Sequence, residues 1–254
     1  QVIGLDAGIV GLAIMVAPRT IAWPSDGLPP GTDPSTLDWT LHCSREGGID
    51  PDRREPLPWT TVRLRAQPGS LPTPLLDEHP HLTAAVSLAV PELPELPDLL
   101  RGQVVVTARH PNRKLADASG VQFAPLLDQL YPDAVRATPG VTWVDGRPVL
   151  RVWAPTAHQV ELLLWEVGRS LEASPERVVM TADADGTWST TGHADWKDAR
   201  YLYAVTVFAP SFGRVVENRV TDPYSIGLTL NSTHSLVLDI DDGFGDDTQP
   251  VTVP

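Results

Sequence analysis

Val149-Leu-Arg-Val-Trp-Ala-Pro155 and Val220-Thr-Asp-Pro-Tyr-Ser225 frame the part of the chain that reads most directly as structure. The first begins on a strand-like run, Val149–Trp153, and the second follows another, Arg214–Val220. Around and between them lie Gln159–Trp165, Arg177–Thr181, Thr187–Thr190, Tyr201–Phe208 and Ser235–Asp239, each bounded by turn residues. Seven short strands in about a hundred residues predict an immunoglobulin-like β-sandwich. Asp185-Gly186, between Thr181 and Trp188, predicts a hairpin turn because both residue types tolerate positive φ.

Upstream, 26 prolines in the whole chain cluster at Pro18–Pro34, Pro51–Pro58, Pro68–Pro80 and Pro91–Pro97. Proline breaks helices and central strands alike, so this layout predicts short strands joined by stiffened loops. Leu37, Trp39, Leu41 and Cys43 alternate with polar neighbours, as do Leu82, Ala84, Val86, Leu88 and Val90 with smaller or polar ones, and Gln103–Ala108 is a β-branched run. Period two marks strands with one face in a core. A helical patch at Leu126, Leu127, Leu130 and Tyr131 ends at Pro132 and closes the first module. The chain is therefore expected to be mostly β, with two sandwich-type modules at 1–139 and 140–254.

Composition narrows the partners. Nineteen basic against 32 acidic residues give a net charge of −13, which works against nucleic acid, whose binding rests on clustered cations, and against anionic membrane surfaces. A neutral polysaccharide is indifferent to that charge. Cys43 is the only cysteine, so there is no internal disulfide. The apolar stretch Ile9–Ala17 is too short to span a bilayer and has no cationic region before it; it reads as a strand of an exported bacterial protein whose signal has been removed.

The second module resembles a carbohydrate-binding module of family 48, of the type found in starch-debranching enzymes, through Arg151-Val-Trp-Ala-Pro-Thr156, Gln159-Val-Glu-Leu162, Asp185-Gly-Thr-Trp188, Tyr201-Leu-Tyr203, Val220-Thr-Asp-Pro-Tyr-Ser225 and Asn231-Ser232. The first is similar to the second N-terminal domain of pullulanases through Thr20-Ile-Ala-Trp-Pro24, His79-Pro-His-Leu82, Leu99-Leu-Arg-Gly-Gln103 and Gly120-Val-Gln122 with Leu126-Leu-Asp-Gln-Leu-Tyr131. The resemblance implies a non-catalytic portion of a family 13 α-1,6-glucosidase acting on starch, glycogen or pullulan. It also implies branched α-glucan and the catalytic barrel of the same parent as partners. Where pullulanases commonly carry His-Trp ahead of the Thr-Ile-Ala-Trp segment, this chain reads Met15-Val16. Glycogen-sensing relatives use tryptophan and lysine around the strand matching Tyr201–Phe208; here that strand offers Tyr203.

No catalytic residue is assigned. Retaining glycosidases need two carboxyl groups about 5 Å apart, mounted in this family on a barrel of roughly 250 residues. The sequence carries neither Asn-His-Asp nor Gly-x-Arg-x-Asp, and Gly-x-Ser-x-Gly is also absent. No cofactor or metal is expected: His79 and His81 flank a proline in a loop, and a site needs three or four convergent donors. The acidic cluster Asp239, Asp241, Asp242, Asp246 and Asp247 is the one calcium candidate, but Phe244 and Pro250 stand where the calcium-loop glycine and bidentate Glu belong.

Sugar rings present apolar C–H faces, so their binding surfaces pair exposed aromatic rings with hydrogen-bonding groups. Trp23, Trp39, Trp59 and Trp153 are expected in the cores. Trp165, in phase with Glu161 and Leu163, and Trp188 and Trp196, near turns, are expected to stand exposed and, with Tyr203, to contact carbohydrate. The alternative from another class is an adhesion or protein-interaction sandwich without sugar affinity, because fold alone does not choose function.

Overall fold

Alternation builds the first unit. In the computed structural model, which describes residues 13–24, 28–52 and 58–239, Trp39, Leu41 and Cys43 of β3 (Asp38–Ser44) are buried, as a half-buried strand requires. β3 pairs with β4 (Thr60–Ala66) and β6 (Gln103–Arg109). With β1 (Ala13–Ala17), β2 (Thr20–Trp23), β5 (Val86–Ala89) and β7 (Leu115–Gln122) they close a barrel in the order β1-β2-β5-β4-β3-β6-β7. The seam is a parallel β1–β7 pair with Ala13 opposite Val121; the other pairs are antiparallel. Closure removes the unpaired edges that would otherwise template aggregation.

Met15, Ile21, Leu64, Leu88 and Val106 fill the interior around Trp23 and Trp39, whose rings meet edge to face at 5.1 Å. The Trp39 Nε1 donates to the Pro34 carbonyl at 2.8 Å, so a large apolar ring is buried without stranding its polar atom. The expected helical patch is α3 (Ala124–Leu130). It buries Leu126, and Gln129 Nε2 donates to the Val16 carbonyl on β1 at 2.8 Å. The run Leu82–Val90 is a strand only from Val86. Pro80–Leu82 forms a single 3-10 turn, and Leu82 and Ala85 pack with Val16, Ala22 and Leu71 in a separate cluster. Two further short helices, α1 (Thr73–Glu78) and α2 (Leu96–Leu99), carry proline in their first turn, where its missing N–H costs nothing.

The barrel also buries a histidine. Trp59 Nε1 donates to His42 Nδ1 at 3.1 Å, and His42 Nε2 lies 2.9 Å from Thr107 Oγ1. Because Nδ1 accepts, the ring proton sits on Nε2 and is donated to the threonine hydroxyl. Burial, and secondarily the charge of Arg109, pushes the imidazole down from 6.5 to about 4.

The second unit is two sheets. One has the order β12-β13-β9-β8, from β8 (Gly140–Val144), β9 (Arg147–Trp153), β12 (Thr181–Ala182) and β13 (Thr187–Thr191). The other has the order β11-β10-β14-β15, from β10 (Gln159–Trp165), β11 (Glu176–Val179), β14 (Arg200–Ala209) and β15 (Arg214–Val220), with β16 (Ser235–Leu236) beside β14. Leu150 and Val152 from one sheet, and Val160, Leu162 and Tyr203 from the other, are buried. The run Arg177–Thr181, expected as one strand, divides between the sheets at Met180. That residue is 2% exposed, and its N–H reaches the Val160 carbonyl at 3.0 Å. As compact bodies, one unit comprises Gln1–Pro132, Pro155–His158 and Val207–Val216, and the other Asp133–Ala154, Gln159–Thr206 and Glu217–Pro254.

β8 was not among the strands read from the sequence. It is joined to β9 by Asp145-Gly146, with φ +50° and +71°, a two-residue loop whose positive φ angles match the twist of the flanking strands. At Asp185-Gly186 the hairpin forms as expected, but only Gly186 has positive φ, +79°. Asp185 contributes through its side chain, Oδ1 accepting from Thr187 N at 2.9 Å and Thr187 Oγ1 at 2.6 Å.

A buried carboxylate ties the second unit together. Asp222 is 4% exposed; its Oδ2 accepts from Tyr201 Oη at 2.7 Å and Tyr203 Oη at 3.3 Å, and its Oδ1 from Tyr224 N at 2.8 Å. Its own N–H donates to Ser235 Oγ at 2.9 Å. Burial raises its proton affinity, and the three donors hold that rise back. No helix among the described residues is long and apolar enough to cross a membrane.

Two outcomes follow for stability. The unfolded chain protonates His42 near 6.5 and the folded chain only near 4, so the stability tied to its neutral form is complete above pH 6.5 and is lost as pH falls through that window. In urea titrations at pH 7 and pH 4.5, His42→Gln should lose less stability between the two pH values than the native chain does. Tyr201→Phe removes the shorter tyrosine bond to Asp222 and should cost about 1–3 kcal/mol of unfolding free energy, measured by denaturant unfolding; a cost near zero would show the carboxylate is served by water.

Candidate functional site

The four aromatic residues expected to contact carbohydrate are all buried, and the expectation of exposed rings is corrected. Trp165 does lie on the Glu161 and Leu163 side of β10, yet it is only 4% exposed. It packs with Leu163, Ala204 and Leu202, its Nε1 donates to the Ala173 carbonyl at 2.9 Å, and the His234 ring stands edge-on at 4.8 Å. The following loop thus closes over a face that alternation alone left open. Trp188 pairs with Val152 across β13 and β9, which puts it on the inner face; it is 7% exposed and its Nε1 donates to the Ala154 carbonyl at 3.0 Å.

Trp196, also 7% exposed, ends the 3-10 turn Ala194–Trp196. Its ring lies against Gly192, where any Cβ would collide with it. Tyr203 is 0% exposed and is spent on Asp222. The four are not brought together at one surface. Truncating such rings to alanine opens cavities worth about 3–5 kcal/mol each, so loss of binding in such variants would be confounded by loss of fold. Met15 and Val16, at the place where pullulanases commonly carry His-Trp, are both 0% exposed, Met15 in the barrel interior and Val16 in the separate cluster with Leu71, Leu82 and Ala85.

Trp153, which the sequence reading put in the core with Trp59, is half-buried, as are Trp59 and Trp143. On β9 the buried positions are Pro148, Leu150 and Val152; Trp153 has the opposite parity and shares the other face with Arg151. Across the register its neighbours are Thr187 and Ser189. Asp183 Oδ2 accepts from Ser189 Oγ at 2.8 Å. Burial would raise the proton affinity of Asp185, but hydrogen bonds from the Thr187 hydroxyl and N–H, with Arg151 nearby, leave it below the usual carboxylate range. The parity of Trp153 against Leu150 and Val152 is the signal that would have placed it.

On the other sheet Arg177 bridges Glu161 at 2.5 Å and Glu217 at 2.6 Å, and Arg219 reaches Glu217 at 3.4 Å. Hydrogen bonding from Arg177 holds Glu217 below its usual range. Exposed pairs of this kind stabilise little, so the row defines a polar surface more than a structural brace. Beyond Asp222 the chain exposes Tyr224, Ile226, Leu228 and Leu230, with Leu230 at 90%.

His79 and His81 stand with ring centroids 6.1 Å apart, and no group of three or more His, Cys, Asp or Glu among the described residues could hold a metal. Of the acidic cluster only Asp239 is described; Asp241, Asp242, Asp246 and Asp247 lie outside the described residues.

Comparison with known proteins accounts for both units. Residues 11–129 match the pullulanase N2 domain, and residues 139–225 match carbohydrate-binding module 48, the isoamylase N-terminal domain. A pullulanase of Klebsiella pneumoniae is 35% identical over 186 residues, covering 72% of this chain and 17% of that protein. Pullulanase 1, chloroplastic, of Arabidopsis thaliana is 30% identical over 194 residues, covering 74% of this chain and 19% of that protein. Among solved structures, K. pneumoniae pullulanase complexed with maltotriose superposes with a TM-score of 0.78 at 31% identity, covering 92% of this chain and 22% of the other. The apo form gives the same TM-score and identity, with 92% and 24% covered. The chain thus spans about a fifth of the length of these relatives. By these matches the chain belongs to the pullulanase family, uniting an N2 domain with a carbohydrate-binding module of family 48.

Proposed function

We propose that this chain is a non-catalytic part of a pullulanase-type, family 13 debranching enzyme, and that it binds branched α-glucan and supports a catalytic barrel carried by the same parent. The observation that carries this reading is the family 48 match over residues 139–225, following directly on the N2 match. Similarity to a pullulanase complexed with maltotriose supports an α-glucan ligand. The charge of −13 is no obstacle, because glucan hydroxyls are neutral. The immunoglobulin-like sandwich of the second module then serves as a rigid carrier for sugar-contacting groups.

A second reading, support without sugar affinity, draws on the burial of Trp165, Trp188, Trp196 and Tyr203. The exposed apolar run Tyr224, Ile226, Leu228 and Leu230 suits a docking role, since large exposed patches mark interaction surfaces.

Native gel electrophoresis with and without pullulan or glycogen separates the two readings. Retardation by the polysaccharide is expected if the chain binds α-glucan, and equal mobility in both gels would leave support as its role. In either case the purified 254-residue chain should release no reducing ends from pullulan; measurable release would overturn the accessory assignment.

A further inference from the structure

A cavity of about 300 Å³ lies against the outside of β6 and β7, and every residue that lines it belongs to the first compact body, which takes in residues 155–158 and, at the turn between β14 and β15, residues 207–216. We propose that it binds one or two glucose residues of an α-glucan chain. This rests on the α-glucan reading above and gives it a location that none of the aromatic residues singled out in the sequence provides. Its volume is at the lower end of the roughly 300–1,000 Å³ of small-molecule sites.

The lining specifies the ligand chemistry. Phe123 and Phe208, both half-buried, supply ring faces, and Ile49 and Leu100 an apolar wall. Gln103 Oε1 accepts from Ile49 N at 2.9 Å. That bond fixes the amide's rotation and leaves its NH2 group with no partner among the described residues. The Thr156 hydroxyl and, at the rim, the exposed Gln122 amide also line the cavity without a side-chain hydrogen bond among the described residues.

Each of these groups narrows the choice. A purely apolar guest would strand the Gln103 amide and Thr156 hydroxyl, at the cost of unsatisfied polar groups. An anion would find one cation, Arg101, whose Nη1 lies 3.8 Å from Asp98 and whose buried Nε, without a partner among the described residues, can equally donate to a hydroxyl, within a chain of charge −13. A cation would find no carboxylate among the lining residues. A neutral polyol with apolar C–H faces meets every feature: rings for its faces, and an amide and a hydroxyl for its oxygens.

The test is calorimetric titration of maltotriose into the intact chain and into the double variant Gln103→Glu, Thr156→Val, alongside pullulan gels. Gln103→Glu keeps the oxygen that serves Ile49 N while removing the amide donors, and Thr156→Val removes a hydroxyl that makes no hydrogen bond among the described residues. Maltotriose should bind the native chain and bind the double variant at least tenfold more weakly, with the thermal midpoint unchanged. Should Gln103→Glu lower stability, Thr156→Val alone still decides, with a severalfold loss expected. Equal affinity in native chain and variants, or pullulan retardation without maltotriose binding, overturns the cavity assignment while the α-glucan reading stands. Absence of both retardation and titration heat in the native chain would fail the underlying reading itself.

Discussion

The second unit depends on one carboxylate placed where water cannot serve it. Asp222 is buried between two tyrosines, a backbone N–H and a serine hydroxyl. An ionised group in that setting is tolerable only while nearly all of its lone pairs are engaged. The partners come from three places: Tyr201 and Tyr203 from β14, Tyr224 from the loop beyond the carboxylate, and Ser235 from β16. The carboxylate fixes β14 against the loop beyond it, the residue's own N–H, donating to Ser235 Oγ, ties in β16, and the penalty for a half-made network falls on all three segments. This gives a physical cause to the Val220-Thr-Asp-Pro-Tyr-Ser225 motif. Its aspartate anchors structure, the proline that follows fixes the turn, and the two tyrosines of Tyr201-Leu-Tyr203 are the matching donors.

The first unit meets its polar burden differently. Its strands close on themselves, so backbone groups are paired round the barrel and few side chains must act as bridges. The buried histidine is the exception. It is held by Trp59 and Thr107 in one tautomer, and burial keeps it neutral down to about pH 4. The parallel β1–β7 seam, the slowest kind of contact to form because it joins the two ends of the barrel sequence, is braced by the Gln129 bond from α3 to β1.

Much of this was legible before any coordinates. β10 and β15 fall on the residues read from the sequence, and β3, β6, β9, β13, β14 and α3 within one or two residues of them, because period-two and helical patterning record which face is buried. What failed did so for identifiable reasons. β8 was not read from the sequence, although the Asp145-Gly146 turn that joins it to β9 has positive φ at both residues, where Asp185-Gly186 has it only at Gly186. The division of Arg177–Thr181 between two sheets leaves no trace in composition: one buried methionine, Met180, changes partner, and periodicity is blind to partners. The stretch 82–85 kept the alternation of a strand but met Pro80, which started a 3-10 turn in its place.

The tryptophans show a deeper limit. An indole has a large apolar face and one donor, which is what a sugar platform needs and also what a core position under a loop needs. Whether Trp165 stacks on a ligand or beneath its own chain is decided by whether a carbonyl such as that of Ala173 comes within 2.9 Å of its Nε1. That carbonyl sits eight residues away in a loop with no periodic signature. The parity of Trp165 on β10 was right and its exposure was not, because parity tells which side of a sheet a residue takes and says nothing of what covers that side. Amides and hydroxyls held by one bond, as at Gln103, whose NH2 group has no partner among the described residues, are better guides to a ligand than aromatic content, since a folded chain has little reason to leave such groups without a partner.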